Sequence, residues 1–240
     1  MIPSTFRLEV HASLPSTSDL LLRRAQAGEP EGLAILARRQ TAGRGTAARR
    51  WESPEGNLYL SLLLRPAGPI REAPQWALLA AVALAETLVP LLPDPGALRL
   101  KWPNDALLDG AKLAGILAEA AADGQGGIAW LVLGIGVNLA HAPALPDRPT
   151  AALPPPAPAP EAFAAALLEA IGRWRDIHAR DGLAPIRTAW AGFGPAPGAP
   201  LTVRQGEGML TGRFAGLGED GSLLLATEAG IRRIIAGEVA

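Results

Sequence analysis

The sequence contains no cysteine, which excludes disulfides, thiolate nucleophiles and thiolate-held zinc or iron–sulfur centres. It also lacks an excess of either charge, with 22 Lys and Arg against 23 Asp and Glu and a net charge of −1. No nucleic-acid footprint or affinity for an anionic membrane is therefore expected, and any anionic ligand must be held by a local cluster. The opening residues, Met-Ile-Pro-Ser-Thr-Phe-Arg-Leu-Glu-Val, show no basic stretch followed by a long apolar one, so no secretory signal is read. Long hydrophobic runs are scarce too: the tract from Trp76 to Leu92 is interrupted by Glu86 and ends in prolines, too short to span a bilayer. His11, His141 and His178 have no metal-ligand spacing, and no internal repeat is found. Together these absences point to a cytoplasmic location.

The 240 residues are 49% apolar and 19% charged, enough for one sizeable core domain with a small appendage. The 27 Gly and 23 Pro sit among abundant Ala and Arg, so an isolated Gly or Pro carries little information here. Pro15-Ser16-Thr17-Ser18-Asp19 before three leucines reads as a capped helix start over 14–28. Leu33–Arg39 and Asn57–Leu64 read as strands, with a Gly- and Arg-rich loop between them. Trp76–Leu91 reads as a long core helix stopped by Pro93 and Pro95, and Leu98–Lys101 as a short strand entering a turn. Lys112–Ala121 and Ile128–Leu133 read as a hairpin around Asp123-Gly124-Gln125-Gly126-Gly127. Eight prolines among the eighteen residues 143–160 make an extended loop, and Glu161–Arg180 a helix. After Trp190, short alternating segments at 201–204, 209–215, 222–227 and 231–235 suggest a small five-stranded barrel.

Three segments can carry chemistry. In Gln40-Thr41-Ala42-Gly43-Arg44-Gly45-Thr46-Ala47-Ala48-Arg49-Arg50-Trp51, glycines flank arginines, so backbone N–H and guanidinium groups can approach one anion together. No Gly-Lys-Ser/Thr follows, so this is not a Walker A loop, and on its own it also reads as a basic surface loop. Lys101-Trp102-Pro103-Asn104-Asp105, followed by Lys112-Leu113-Ala114-Gly115-Ile116-Leu117-Ala118-Glu119, offers lysines with buried stems and a carboxylate. Its plainer reading is a capped turn with solvated lysines. Gly134-Ile135-Gly136-Val137-Asn138 can line a ligand closely, but it lacks the third glycine of the dinucleotide fingerprint, and a strand-end turn is its default reading.

In this order and spacing, the three segments resemble the signature of the biotin protein ligase family. Gly43 to Leu62 matches its GRG-x-W-x-SP-x-G-N-L-x-x-SL block, Lys101 to Asp105 its KWPND, Lys112 to Leu117 its K-x-x-GIL, and Gly134 to Asn138 its G-x-G-x-N. Ser16-Thr17-Ser18 is similar to its early Ser-Thr-Asn, and Gly237-Glu238-Val239 to its closing strand. The resemblance implies an α+β fold: a mixed sheet with helices, related to class II aminoacyl-tRNA synthetases, over residues 1–192, and an SH3-like barrel over 193–240. Some members carry an N-terminal helix-turn-helix, for which a Ser-Thr-Ser block at residue 16 leaves no room, so operator binding is not expected.

The implied activity is ATP-dependent formation of biotinyl-5'-AMP, then transfer of biotin to a lysine of the apo form of a biotin carboxyl carrier protein. ATP, Mg2+ and biotin are the implied small molecules; no resident metal, nucleic acid or membrane is implied, and a homodimer is the assembly left open. Similarity assigns Lys112, Arg44 and Asp105 to catalysis. It places Ser16, Thr17, Ser18, Gln40, Gly43, Arg44, Gly45, Thr46, Trp51, Lys112, Gly115, Gly134 and Ile135 around biotin, and Arg49, Trp102, Asn104 and Asn138 on the nucleotide side. The loop from Gly43 to Arg50 is expected to close over the adenylate. Many members read Gly-Arg-Gly-Arg-x-Gly-Arg there; in this chain Thr46, Ala47 and Ala48 replace the second arginine and its next two neighbours, and easier escape of the adenylate is expected. Two rival readings remain. A lipoate ligase or octanoyl transferase of the same superfamily lacks the Lys-Trp-Pro-Asn-Asp block, and a noncatalytic sensor has no need of Lys112.

Overall fold

The computed structural model describes residues 5–46, 49–146 and 148–239. They form a seven-stranded sheet and a five-stranded one, with helices packed on both faces of the first. The first sheet runs in the order β1 (Arg7–His11), β2 (Leu33–Ala37), β3 (Leu58–Leu64), β7 (Ile128–Val137), β6 (Ala111–Ala122), β5 (Asp105–Leu108), β4 (Leu98–Lys101). β1 and β2 are parallel and the other neighbours antiparallel, so the sheet is mixed, as expected. β6 and β7 form the hairpin read from the sequence.

Alternation along the strands decides what each face meets, because successive side chains point to opposite sides. Leu58, Leu60, Leu62 and Leu64 of β3 join Leu131, Leu133, Ile135 and Val137 of β7 in the main core. Against them lies α2 (Gln75–Leu88), with eleven of its fourteen residues buried, flanked by α3 (Pro160–Asp181) and α4 (Ala184–Phe193). The stretch 70–91 is apolar and long enough by composition to cross a membrane, but here it contains the central core helix, apolar over most of its surface because most of that surface is covered. On the opposite face α1 (Thr17–Gln26) packs Leu21 and Ala25 on Leu33, Ile35, Leu63 and Val132. Ser16 caps α1 by accepting a hydrogen bond from the Asp19 amide at 3.2 Å, so the polar cap read from the sequence is present.

The second sheet is antiparallel, in the order β11 (Gly230–Ile234), β10 (Leu223–Thr227), β9 (Gly208–Leu217), β8 (Pro200–Gln205), β12 (Glu238–Val239). Five strands were expected and five are found, but the expected closed barrel is an open sheet. Among the described residues β12 pairs only with β8 and β11 only with β10, and a two-residue closing strand is too short to bridge both edges. This second sheet packs on α4 through Trp190 and Phe214, whose ring centroids lie 6.2 Å apart, and through Arg187, which donates to the Leu217 carbonyl at 2.9 Å.

Gly134 and Gly136 also depart from expectation, since they lie inside β7 rather than in a turn at its end. β1, β5 and α4 are elements that the sequence pattern did not announce. Ala47 and Ala48 lie outside the described residues.

Candidate active site

The site opens where α1 begins, on the sheet face opposite the main core. Its floor is made of glycine. Gly115 of β6 and Gly136 of β7 are register partners, and Gly134 pairs with Ser61 of β3. A Cβ at Gly136 would lie 2.6 Å from the Trp51 indole, one at Gly115 3.2 Å from it, and one at Gly134 2.6 Å from the Ser18 hydroxyl. The missing side chains are what let the Trp51 ring and the α1 hydroxyls rest directly on the sheet.

One wall is a chain of hydroxyl and amide groups, and the Gly45–Thr46 loop is another. Gln40 Oε1 accepts from the Thr17 amide at 2.8 Å and from the Thr17 hydroxyl at 3.1 Å, while Ser61 Oγ donates to Thr17 Oγ1 at 2.8 Å. Ser18 Oγ and Ser61 Oγ lie 3.1 Å apart, and Gln40 Nε2 donates to Ser53 Oγ at 3.1 Å. Because these buried groups satisfy one another, the wall stands preformed at little cost. Tyr59 belongs to the same surface, its hydroxyl donating to the Pro54 carbonyl at 2.7 Å, and burial pushes its pKa up.

Two cations face this cleft of about 470 Å³, Arg44 and Lys112. Lys112 Nζ donates to Asp105 Oδ1 at 2.6 Å and lies 5.6 Å from the Trp51 ring centroid. Arg44 is gripped by two carboxylates, Asp19 from α1 and Glu119 from β6, the latter at 2.5 Å. Its hydrogen bonds to Glu119 and then Asp19 hold the guanidinium pKa above its ordinary value. Among the described residues Glu119 Oε2 is buried without a partner. Asn104 also lines the cleft, held by donation to the Ile116 carbonyl at 2.6 Å.

The structure brings together on this one cleft Ser16, Thr17, Ser18, Gln40, Arg44, Gly45, Thr46, Trp51, Asn104, Asp105, Lys112, Gly115, Gly134 and Ile135. Four expected site residues lie outside it, one of which, Asn138, lines an adjoining cleft. Trp102 is buried at the junction with the second sheet and donates from Nε1 to the Gly221 carbonyl at 3.1 Å. Arg49 points its guanidinium at Thr46 and Glu238, not into the cleft. Gly43 lies behind the wall, where a Cβ would meet the Trp51 carbonyl oxygen at 2.4 Å; it shapes the turn rather than touching the cleft. Ser61, Tyr59 and Asp19 carry no site role in the sequence reading, and Gly136 and Glu119 stand in its motif segments without an assigned role. A serine within the otherwise apolar, fully buried run Leu58–Leu64 was the available signal for Ser61.

Two further clefts adjoin the first. A small one of about 280 Å³ shares Trp51 and Lys112 with it and is lined by Asn138. Asn138 donates from Nδ2 to the Ala151 carbonyl at 3.0 Å, while its buried Oδ1 has no partner among the described residues. An orphan acceptor of this kind is costly unless a ligand donor meets it. The larger one, about 1000 Å³, shares Asp105 and Lys112 and is lined by Lys101 and Arg148 on one side and Arg204 and Glu238 on the other. Burial lowers the Lys101 pKa despite the nearby charges of Asp105 and Glu238. Partial burial raises that of Glu238, but its hydrogen bond from Arg49 and the charges of Arg49, Arg148 and Lys101 outweigh this and leave it below its ordinary value. Among the described residues no group of three or more His, Asp or Glu is arranged to hold a metal.

Comparison with known proteins agrees with this geometry. Residues 10–138 match the Biotin/lipoate A/B protein ligase family, and residues 198–240 match the Biotin protein ligase C terminal domain. A biotin--[acetyl-CoA-carboxylase] ligase of Paracoccus denitrificans is 40% identical over 85% of this chain and 88% of its own length. The bifunctional ligase/repressor BirA of Bacillus subtilis is 34% identical over 95% of this chain and 72% of its own. The biotin protein ligase of Aquifex aeolicus, solved in complex with biotin and ATP, superposes with a TM-score of 0.81 at 28% identity, covering 98% of this chain and 97% of that one. On this sequence and structural likeness, the chain belongs to the Biotin/lipoate A/B protein ligase family.

Proposed function

We propose that the chain is a biotin protein ligase that activates biotin with ATP and passes it to a lysine of an apo biotin carboxyl carrier protein. The observation that carries this is the convergence of Arg44 and Lys112 on one cleft floored by the paired glycines 115 and 136 under Trp51. The ureido ring of biotin needs several buried hydrogen-bond partners, and the Ser16–Thr17–Ser18 and Gln40 wall supplies them. The carboxylate end is then directed towards Arg44 and Lys112.

Oxygen of the biotin carboxylate attacks the α-phosphorus of MgATP. A C–O–P anhydride forms, the bond to the β-phosphate oxygen breaks, and pyrophosphate leaves. Negative charge grows on the α-phosphate oxygens and the leaving group, and fixed cations favour that state over the separated reactants. Lys112 is assigned this role, with Arg44 beside it. The magnesium enters with the nucleotide as part of the substrate. The cleft across Trp51 suits the base of the nucleotide, because the unpaired Oδ1 of Asn138 would accept from an exocyclic amine.

In the second step the carrier amine attacks the acyl carbon, the acyl–phosphate bond breaks and AMP departs. Asp105 borders both the first cleft and the larger one, so an amine arriving through the latter meets this carboxylate, which would orient the amine and take its proton. The division into a catalytic unit, 1–192, and a C-terminal unit, 193–240, belongs to this reading, as do cytoplasmic residence and the lack of a nucleic-acid partner. A homodimer is the assembly to test by light scattering. The deciding experiment mixes purified protein, biotin, MgATP and an apo carrier domain and reads the carrier by mass. A biotin adduct is expected, and ATP–pyrophosphate exchange should depend on biotin. Exchange that responds to lipoate instead would move the chain to the other branch of the family.

A further inference from the structure

We infer that Glu238, on the last strand of the C-terminal sheet, is a positioning residue for the wall of the ligand cleft and acts through Arg49. The inference rests on the proposed ligase function, since it assigns to that cleft a bound adenylate to retain.

Arg49 has three hydrogen bonds to give in this arrangement. Its Nη1 donates to Glu238 Oε1 at 2.9 Å, its Nη2 to Thr46 Oγ1 at 2.8 Å and its Nε to the Thr46 carbonyl at 3.2 Å. The backbone repeats the clasp: the Gly45 amide donates to the Arg49 carbonyl at 2.8 Å and the Arg49 amide to the Thr46 carbonyl at 3.2 Å. Gly45 and Thr46 line the cleft next to Arg44. A planar guanidinium fixed at one end therefore fixes the wall at the other, because its donors cannot turn independently.

The fixed end is Glu238. Its strand is registered against β8 at Arg204 and Val203, and Val239 beside it is buried. Arg148 also reaches the carboxylate, at 3.4 Å. Thr46 stands where the resembling sequences carry an arginine; it cannot supply charge to a ligand, but its hydroxyl accepts from Arg49. In this chain the wall is thus held by a link running from Glu238 through Arg49 to Thr46, which joins the two units across 189 residues of sequence.

The test compares the full-length wild type with Glu238→Ala, Glu238→Gln, Arg49→Ala and the Arg49→Ala/Glu238→Ala double variant. All are loaded with biotin and MgATP in the absence of carrier, so that any role of the larger cleft in carrier docking does not enter. Dissociation of biotinyl-AMP should speed up about fivefold in either alanine variant and no further in the double, because both residues belong to one link. Glu238→Gln keeps an acceptor oxygen and should fall between. Hydrogen exchange in residues 43–51 should rise in the Glu238 variants while protection in β8 to β10 stays as in the wild type. The inference is overturned if exchange in 43–51 is unchanged in both Glu238 variants, or if the double variant shows the product of the single effects. Should the wild type make no adenylate, the functional reading fails, whereas the exchange comparison still decides whether Glu238 holds the wall.

Discussion

The two faces of the seven-stranded sheet are built from the same strands and do opposite work. On β7, Leu131, Leu133, Ile135 and Val137 face the helices, while Gly134 and Gly136 alternate with them towards the cleft. On β3, Leu58, Leu60, Leu62 and Leu64 meet the core, and Tyr59 and Ser61 the other side. A period of two thus lets one run of residues place volume on one face and remove it from the other. Packing makes the first face rigid. On the second, where α1 ends its cover at Thr17, the space left by absent side chains becomes the cleft, and the hydroxyl chain of Thr17, Ser18 and Ser61 compensates for lost apolar contact.

The largest effect expected from breaking this contrast comes from removing charge on the cleft face. Lys112→Ala should lower the rate of biotin-dependent pyrophosphate exchange by about 10³-fold, and a variant that retains exchange would take Lys112 out of the chemistry. Next is the core face: Leu133→Ala should cost about 3 kcal/mol of unfolding free energy in denaturant titration, with KM for biotin changed less than about twofold. Three residues along the same strand the result should reverse. Gly136→Ala puts a methyl group 2.6 Å from the Trp51 ring, so binding of biotin by calorimetry should weaken by about tenfold while stability changes less than for Leu133→Ala. Should Gly136→Ala leave binding untouched, the two faces would not differ in the way argued.

Much of this contrast is legible in the sequence where it is local. The capped start of α1, the apolar run of β3 and the β6–β7 hairpin follow from spacing alone, and the three motif segments do converge on one cleft. What was not legible depends on partners far away in the chain. Asp105–Leu108 reads as the tail of a Pro-Asn turn, yet it pairs on both sides as a strand. Ala184–Phe193 carries Pro185, Thr188 and Gly192, which dilute its helical pattern, but Ile186 and Trp190 bury it against α2. Trp102 reads with its motif neighbours, and its hydrogen bond to the Gly221 carbonyl, 119 residues on, is invisible to spacing. The same holds for Arg49, whose partner lies on the last strand.

The smallest expected effect concerns the loop that lines the cleft at Gly45 and Thr46. Thr46→Arg would place a cation at a position lining the cleft with Arg44 and Lys112, where the proposed function puts the phosphate charge of the adenylate. It would also delete the hydroxyl that accepts from Arg49 at 2.8 Å, leaving the Thr46 carbonyl and Glu238 as the acceptors for that side chain. The two changes oppose each other. A charge-assisted contact to phosphate is roughly twice as strong as a neutral hydrogen bond, so the cation should win and release of biotinyl-AMP should slow by about threefold. Rapid filtration of loaded enzyme measures it directly. Equal release rates would mean that this chain lost nothing when threonine took the place of arginine, and that retention resides in the glycine floor and hydroxyl wall rather than in the charge of the loop.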